Sequence, residues 1–540
     1  MATSLASPLS SEAIERDRHR RERGFAAGLV TALTLIAVVV HGYHPYAEDG
    51  GLYLPEIKRL LRPGLYPQGA EFIVGHLRFS IFAPGMAGLV RWSHLRVETV
   101  MLLVYLASFW TTLFAGWLLA ARCYPSREAR CGAVALFAVW LTLPVAGTSL
   151  MLMDPYVTAR SFSTPFALLA LVGALQFLLP GSGSVDGRTA AQWQGVLLCC
   201  AAVAGAAAMH PLMGAYAFGS VMVLACVMSP RRQIQIWGTI GLSGAAAGLA
   251  VTLQMSGVPE SKAYLSVVQT RYYWFLSEWH WYELMGLVAP LVILAMSTFG
   301  RRGAKLKQDE SDAARVGLAK MAVVSGVIAV AVAVLFARSG FATHSVARLQ
   351  PLRIFQLVYV VMILVVGAAV AERVLRRSVL RWVVVFSLLA GVMVFAERQT
   401  YPESARLELP GTMQWSAPKN PWEQAFVWIS RNTPQDALFA LDSHYINLQG
   451  EDAQGFRAIA ERSVLPDYSK DGGVVANKPA LTGEWMQGLA AQANLSTEDD
   501  AVRMKALRPL GVSWVVLDRG AKTGFRCEYA NAVVKVCRLP

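Results

Sequence analysis

Long, almost uninterrupted apolar runs dominate the first 396 residues of this chain. About eleven of them contain roughly 17–25 residues, enough for a helix to cross the hydrocarbon core of a bilayer. They lie near residues 24–41, 97–121, 131–150, 162–179, 193–209, 212–228, 234–254, 284–299, 318–337, 354–371 and 380–396. The pattern therefore predicts an α-helical polytopic membrane protein with about eleven transmembrane helices.

A long polar connection, residues 42–96, follows the first apolar run. Its "LYLPEIKRLLRPGLYP" segment is amphipathic, and its 78–92 segment is apolar but interrupted by arginines and a proline. Such an interrupted segment is typical of an interfacial or re-entrant helix and does not fit a spanning one.

The pattern changes at residue 397, and residues 397–540 have the composition of a soluble domain. "PWEQAFVWISRN" has the apolar spacing of an amphipathic helix, and further helices are predicted near 478–492 and 496–508. "ALFALD" and "VSWVVLD" are typical of buried strands, and "GFRCEYANAVVKVCRLP" of a hairpin. These elements predict a small C-terminal α/β domain, long enough to have its own core.

The composition agrees with a membrane protein, since 55% of the residues are hydrophobic and 16% are charged. Soluble domains usually contain about 25% charged residues. The formal net charge of +13 would also suit a nucleic-acid-binding protein. In a membrane protein, however, excess Lys and Arg is expected in cytoplasmic loops. Because no nucleic-acid-binding module is visible, we expect no nucleic-acid partner.

The basic residues predict the orientation of the helices. They cluster before the first run, at 122–130, at 231–232, at 301–307 and at 372–381, which the predicted helices place on one side. The positive-inside rule makes that side the cytoplasm. Residues 1–23 are then cytoplasmic, residues 24–396 form the transmembrane domain, and residues 397–540 lie outside. The first run is not followed by a small-residue cleavage site, so we expect a retained helix.

Cys527 and Cys537 flank the predicted C-terminal turn symmetrically and could face each other across the hairpin. A disulfide between them requires an oxidising compartment, which is where the charge pattern places this domain. We therefore consider this disulfide a candidate, although hairpin register does not follow from the sequence.

Titratable residues outside the cytoplasmic loops concentrate on the predicted outer side. They are His44, Glu48, Asp49, Asp154, Arg160, His210, Arg271, Glu278, His280, Glu283, Arg338, His344, Arg348 and Arg353. The centres of the predicted spans contain essentially none. Ion-coupled transporters usually need ionisable groups within the membrane. The distribution therefore favours chemistry on a lipid headgroup at the outer interface.

Each of these features also has a structural explanation. Glu48 and Asp49 fit a solvated loop or a helix cap as well as an acidic active-site centre. Asp154 and His210 both precede prolines, which is typical of turns. The outer arginines fit anchors for lipid headgroups, and the aromatic residues from Tyr272 to Tyr282 fit an interfacial belt.

In combination, these features resemble the GT-C superfamily of integral-membrane glycosyltransferases. The matching segments are "YAEDGGLYLPEIKRLLRPGLYP" at 46–67, "MDPYVTARSFSTP" at 153–165, "WISRNTPQDALFAL" at 428–441 and the final strands. The "FR…AERSV" segment, residues 456–464, is similar to a group of bacterial membrane proteins with the same layout. The resemblance covers nearly the whole chain in layout, but its motifs are short.

The resemblance implies an inverting transfer of a sugar from a polyprenyl-phosphate donor to an acceptor on the outer face of a bacterial inner membrane. Asp49, or else Glu48, would act as general base. Arginines would bind the donor phosphate, preferably in bidentate geometry. The candidate substrate-binding residues are Arg348 and Arg353, then Arg160, Arg271, His210 and His344.

Some members of the superfamily use a divalent metal, and here Asp49 and Asp154 would bind Mg²⁺ or Mn²⁺. Two other functions fit the sequence. The first is a non-catalytic scaffold or lipid-binding subunit of an envelope-assembly complex. The second is a transporter of a lipid-linked sugar. The sequence identifies neither the sugar nor the acceptor.

Overall fold

The computed structural model describes residues 11–76, 79–180, 185–255, 260–299, 309–341, 343–402, 404–409, 418, 420–445 and 455–540. The apolar runs form a helical bundle, and the C-terminal residues form a small sheet with flanking helices at one end of it. The helices of the bundle, in chain order, are α1 (Ser11–His41), α2 (Gly50–Leu61), α3 (Ala70–Ile73), α4 (Phe82–Ser93), α5 (Val97–Cys123), α6 (Arg127–Val139), α7 (Arg160–Leu178), α8 (Val185–Met209), α9 (Pro211–Met228), α10 (Arg231–Met255), α11 (Lys262–Gln269), α12 (Trp281–Phe299), α13 (Glu310–Phe336), α14 (Ser345–Arg348), α15 (Phe355–Val370) and α16 (Val379–Thr400).

Nine helices within the described ranges are long and apolar enough to cross a membrane. They are α1, α5, α7, α8, α9, α12, α13, the continuous segment from α14 through α15 to Leu375, and α16. This confirms a helical membrane protein, although the predicted count of eleven spanning helices is not reached.

The predicted span at 131–150 is wrong as a single helix. Helix α6 ends at Val139, and a short hairpin follows, in which β1 (Pro144–Val145) pairs with β2 (Leu150–Met151). Pro144 has no backbone N–H and ends the helical pattern, and Gly147 makes the turn at a φ of 66°. The other predicted span, near 234–254, corresponds to α10, a helix of sufficient length that is not among the nine found in the described residues.

Helix α6 and its hairpin still carry the chain from one end of the bundle to the other. At the start of α6, Ser126 donates to Glu372, and Glu128 lies 3.6 Å from Arg377. We call this end, where these basic segments meet, the basic end. Beyond the hairpin, the carbonyl of Pro155 accepts a hydrogen bond of 2.8 Å from the amide of His44. His44 follows the C-terminal end of α1, so the chain has reached the opposite end of the bundle at this point. The basic segment at 301–307 lies outside the described residues.

Helices α2, α3 and α4 lie in the long connection that follows α1. Helix α4 corresponds to the predicted interrupted segment at 78–92, of which residue 78 is not described. Trp92 on α4 is 80% exposed in the isolated chain. An exposed tryptophan beside Arg91 is the composition expected of a helix at a membrane surface.

The C-terminal domain contains a five-stranded sheet in the order β4-β3-β5-β7-β6. Strand β3 is parallel to β4 and β5, whereas β7 is antiparallel to both β5 and β6. The elements are α17 (Pro421–Asn432), β3 (Leu438–Ala440), α18 (Gly455–Ala460), β4 (Ser463–Val464), α19 (Lys470–Asn477), α20 (Thr482–Gln492), α21 (Asp500–Leu507), β5 (Trp514–Asp518), β6 (Arg526–Ala530) and β7 (Val534–Arg538). Phe426 and Ile429 of α17 pack on Phe439 and Trp514, as the amphipathic pattern predicts.

The predicted hairpin is formed by β6 and β7, and Cys527 lies opposite Cys537 in its register. The two cysteines form a disulfide. Since β6 is the edge strand of the sheet, this bond ties the edge to the more buried β7.

The C-terminal domain packs on the long connection after α1. Lys58 of α2 donates to the carbonyl of Ala458 at 2.8 Å and lies 2.9 Å from Glu461. The Tyr66 hydroxyl donates to the carbonyl of Arg457. Thus the "FR…AERSV" segment is one part of the domain that contacts the connection, and Lys478 beside Glu71 is another.

Candidate functional site

Three acidic and two basic side chains meet where the C-terminal domain covers the bundle. We call this group the acid–base cluster; it consists of Glu48, Asp49, Asp154, Arg160 and Lys470. The loop after α1 supplies the first two, the segment from the hairpin to α7 supplies the next two, and the C-terminal domain supplies the lysine. The structure thus brings together four residues that the sequence singled out and one that it did not.

Asp154 orients Arg160 within a tight local loop. Its Oδ2 accepts hydrogen bonds from Nε and Nη2 of Arg160, at 3.2 and 2.9 Å, and from the Thr158 hydroxyl at 3.1 Å. Thr158 also accepts the amide hydrogen of Arg160, at the start of α7. Asp154 is almost completely buried, so its carboxylate acts on a ligand only through Arg160. The turn that its proline suggested is present, and it presents the arginine.

Arg160 connects this loop to Asp49. The same Nη2 atom lies 2.8 Å from Oδ2 of Asp49. Arg160 is buried, whereas a quarter of the Asp49 side chain is exposed. Arg160 is therefore shared by a buried carboxylate behind it and a partly exposed carboxylate in front of it.

Lys470 approaches the acidic pair from the C-terminal domain. Its Nζ lies 2.7 Å from Oε2 of Glu48 and 3.2 Å from Oδ1 of Asp49. The sequence analysis missed this residue, because no local pattern relates it to residues at the other end of the chain. The only sequence signal is the polar, glycine-containing "YSKDGG" run, which is unusual beside the apolar "VVA".

A buried network positions Lys470. Arg457 makes a bidentate pair with the neighbouring Asp471, at 2.7 and 2.8 Å. Asp467 accepts the amide hydrogens of Lys470 and Asp471. Arg271, on the connection after α11, donates to the carbonyl of Ser469 at 2.7 Å. Bidentate pairs of this kind combine energy with geometric specificity, so the position of the lysine backbone is strongly determined.

The backbone at the acidic pair is also unusual. Glu48 has a φ of 49°, in the left-handed region that costs a residue with a Cβ of the order of 1 kcal/mol. Gly50 follows at the start of α2, where a Cβ would lie 2.4 Å from the carbonyl oxygen of Pro45. The tight turn that aims Glu48 and Asp49 at Lys470 therefore requires glycine at position 50.

The surroundings of Asp49 and Asp154 shift the pKa values of these two carboxyl groups in opposite directions. Burial by itself would raise the pKa of Asp49, but the positive charges of Lys470 and Arg160 outweigh it and hold this pKa well below its usual range. For Asp154 burial dominates and raises the pKa, since the contacts with Arg160 and Thr158 only partly offset it. Of these two carboxyl groups, Asp49 is thus the one whose ionised form its surroundings favour.

Arg353 lies within electrostatic range of this cluster, and no carboxylate among the described residues is hydrogen-bonded to it. Its electrostatic neighbours include Tyr273, Arg160 and Asp49. Its Nε atom is buried with no hydrogen-bond partner, and no described residue accepts a hydrogen bond from its guanidinium group. Since an unsatisfied buried donor costs roughly 1–3 kcal/mol, a ligand that accepts from Arg353 would recover this energy. Arg353 is therefore the predicted phosphate-binding residue whose environment best fits that role.

Arg348 and His344 are engaged elsewhere. Both contact Glu260: Arg348 Nη2 lies 2.9 Å from Oε1, and His344 Nδ1 lies 2.6 Å from Oε2. Arg348 also lies over the ring of Tyr264 at 5.1 Å. These contacts hold α14 against the start of α11, and they give both side chains a structural role.

Arg271 and His210 also have structural contacts. Arg271 is buried and holds the Tyr468 and Ser469 carbonyls, so it supports Lys470 from behind. His210 is the N-cap of α9, and its Nδ1 lies 3.5 Å from the amide of Met213. The structure thus shows Arg271 as a positioning residue and His210 as a helix cap.

The arrangement of Asp49 and Asp154 does not fit a divalent cation. The Arg160 guanidinium occupies the position between their Oδ2 atoms, where a shared metal ion would lie. No group of three or more His, Cys, Asp or Glu side chains with metal-binding geometry occurs among the residues described. Mg²⁺ requires an octahedron of oxygen ligands, which a guanidinium disrupts. A metal ion held by Asp49 and Asp154 together would have to displace Arg160 from between them.

This chain matches no protein-family model and no curated protein sequence. The functional assignment consequently rests on the geometry of the site and on the layout of the chain.

Proposed function

We propose that this protein is a GT-C-type glycosyltransferase that moves a sugar from a polyprenyl-phosphate donor to an acceptor on the outer face of a bacterial inner membrane. The supporting observation is the position of Arg353, a guanidinium without an accepting anion, beside a carboxylate that is paired with two further cations. A lipid-linked phosphate supplies the missing anion, and its polyprenyl chain enters between the spanning helices.

In this proposal Arg353 binds the phosphate of the donor, and Lys470 turns from the acidic pair towards it. A planar guanidinium binds phosphate through two parallel hydrogen bonds, whereas an ammonium acts as a point charge. Arg160 stays with Asp154, because leaving that buried carboxylate unpaired would be strongly unfavourable. The phosphate thus competes with Glu48 and Asp49 for one movable cation.

This competition would activate the base. A carboxylate with a very low pKa removes a proton from a hydroxyl group inefficiently. Movement of Lys470 to the phosphate removes one of the two charges that lower the pKa of Asp49, which then becomes a better base. Asp49 accepts the proton of the acceptor hydroxyl, and the acceptor oxygen forms a bond to the anomeric carbon. The bond from that carbon to the phosphate oxygen breaks, polyprenyl phosphate leaves, and the configuration is inverted.

A transfer assay with purified protein and a panel of polyprenyl-phosphate sugars tests this proposal. We expect Asp49→Asn to lower kcat by at least about 100-fold, the contribution typical of a general base. Arg353→Ala should mainly raise KM for the donor. Lys478→Ala is the matched control: this lysine pairs with Glu71 on the same interface but outside the cluster, so its transfer rate should be unchanged. Wild-type transfer by Asp49→Asn would exclude Asp49 as the base, and Glu48→Gln would then test the second carboxylate.

A non-catalytic lipid-binding subunit is the alternative, and one observation favours it. Both oxygens of Asp49 are already occupied by cations, which is typical of a structural ion pair. This alternative predicts that the wild-type protein binds polyprenyl phosphate but transfers no sugar from any donor in the panel. Binding would then depend on Arg353 and would be indifferent to Asp49→Asn.

A further inference from the structure

A second site lies at the basic end, away from the acid–base cluster. A groove of about 570 Å³ opens there between α1, α5 and the start of α6. Its floor is apolar and includes Phe25, Phe114 and Trp117, and its rim is polar and includes Arg23, Arg127 and Arg130. We call it the basic-end groove.

The arginines of the rim are available for a ligand. The Arg127 guanidinium carbon lies 3.3 Å from the centre of the Phe25 ring, which itself lies 6.0 Å from the ring of Trp117. Arg130 donates from its Nε to the Tyr124 carbonyl at 2.7 Å and also lines the groove. Among the residues that the structure describes, no carboxylate pairs with Arg23, Arg127 or Arg130.

The rim also contains acidic residues, but fewer of them. Asp17 is paired with Arg21 at 2.9 Å, and Glu22 is the other acid of the lining. Because arginines outnumber these acids, the groove attracts anions. This excess of positive charge adjoins aromatic side chains of α1 and α5, two helices that are long and apolar enough to cross a membrane.

The lining thus combines an apolar floor with a basic rim, and one ligand with an apolar part and an anionic part would match both. We propose that the basic-end groove binds an anionic phospholipid, with its phosphate on Arg127 and Arg130 and an acyl chain along Phe114 and Trp117. A free phosphate ion would leave the apolar floor uncovered. A zwitterionic lipid would bring a second, positive group to a rim that already has excess positive charge. This site is independent of the proposed transferase activity.

Native mass spectrometry of the purified full chain tests this proposal directly. The protein is mixed with phosphatidylglycerol or phosphatidylcholine, and the fraction of chains that retain lipid is measured. We expect phosphatidylglycerol to be retained in preference to phosphatidylcholine, and Arg127→Gln/Arg130→Gln to lower its apparent affinity by about tenfold or more, since both charge-assisted contacts are lost. Inorganic phosphate at millimolar concentration should not displace the lipid.

Two further variants serve as controls. Arg373→Gln/Arg376→Gln removes the same charge at the basic end but outside the groove lining, so it should retain the lipid like the wild type. Arg127→Gln alone leaves the Arg130–Tyr124 hydrogen bond intact. Weaker lipid binding by this variant would therefore reflect the lost charge and not a disturbed turn between α5 and α6. Equal retention of phosphatidylcholine, unchanged binding by the groove variant, equal loss in the control, or displacement by inorganic phosphate would each overturn the proposal.

Discussion

Lys470 donates a hydrogen bond of 2.7 Å to Glu48, a residue 422 positions earlier in the chain. The same ammonium group contacts Asp49, and both contacts are largely shielded from solvent. They join the C-terminal domain to the loop after α1 at the point where chemistry is proposed. One side chain therefore contributes both to docking of the domain and to the electrostatics of the site.

A double-mutant cycle with Lys470→Ala and Glu48→Ala should show this coupling. Because the two groups are in contact and mostly buried, we expect a coupling free energy of about 1–2 kcal/mol in thermal unfolding of the detergent-solubilised protein. The matched control cycle uses Lys478 and Glu71, a more exposed pair on the same interface. Exposed pairs usually contribute about 0.2–1 kcal/mol or less. Equal coupling in the two cycles would contradict the special position of Lys470.

Removal of Arg160 should destabilise the protein strongly. Arg160→Gln leaves the buried carboxylate of Asp154 without its cation, which typically costs about 3–5 kcal/mol. The double variant Arg160→Gln/Asp154→Asn should recover a large part of this loss, because no buried charge remains. Arg353→Gln is the control, and we expect a change below about 1 kcal/mol, since no carboxylate loses an ion pair. Unfolding temperatures of the four proteins provide the measurement; a double variant less stable than Arg160→Gln would refute the explanation.

The stability of the protein should also depend on pH through His44. This buried ring lies 2.9 Å from Glu408 and 3.2 Å from Glu397, stacks on Tyr401, and faces Arg406 across Glu397. Burial opposes its protonation, but the hydrogen bonds to both carboxylates outweigh burial and raise the pKa of His44 above its usual 6.5.

A raised pKa in the folded state means that protonation of His44 stabilises the fold. The contribution is fully present below pH 6.5 and is lost as pH rises through the higher pKa of the folded state. We therefore expect the unfolding temperature of the wild type to fall above pH 6.5 more steeply than that of His44→Gln. Glu408→Gln should move the decline to lower pH, because one carboxylate that raises the pKa of His44 is removed. Parallel curves for all three proteins would exclude His44 as the titrating group.

The Cys527–Cys537 disulfide should stabilise the C-terminal domain. It closes a short loop, with a sequence separation of 10, and loop-closure entropy predicts about 2–3 kcal/mol. Cys527→Ser/Cys537→Ser should lower the stability of the domain by this amount, as measured by limited proteolysis across a temperature series. Dithiothreitol should reproduce the effect in the wild type and have no effect on the variant. A response of the variant to dithiothreitol would show that another disulfide is responsible.

Local patterns predicted much of the fold. Phe426 and Ile429 are buried because they lie on one face of a helix, and the spacing alone indicates this. The facing positions of Cys527 and Cys537 in the hairpin of β6 and β7 also depend on a local event, because the two strands pair across a short turn. The span predicted at 131–150 was wrong because an apolar composition outweighed Pro144 and Gly147. Both residues favour a turn over a continuous helix.

The site was predicted only in part. Asp49, Asp154 and Arg160 stood out because acidic and basic residues are rare beside apolar runs, and the structure places them in contact. Arg348 and His344 stood out for the same reason, yet both contact Glu260, which lies on another segment. Rarity of charge indicates that a residue has a role, but it does not identify the partner.

Apolar run length and side-chain periodicity act within one segment, so they are sufficient to predict a helical membrane protein with a C-terminal α/β domain. The contacts of Lys470 with Glu48 and Asp49 become visible only in the folded chain, as does an Arg353 that has no hydrogen-bonded anion among the described residues. An ion pair has no periodicity, and its partners are chosen by how two separately folded regions pack. The acidic pair after α1 therefore acquires its electrostatic environment from a domain that begins more than 300 residues later.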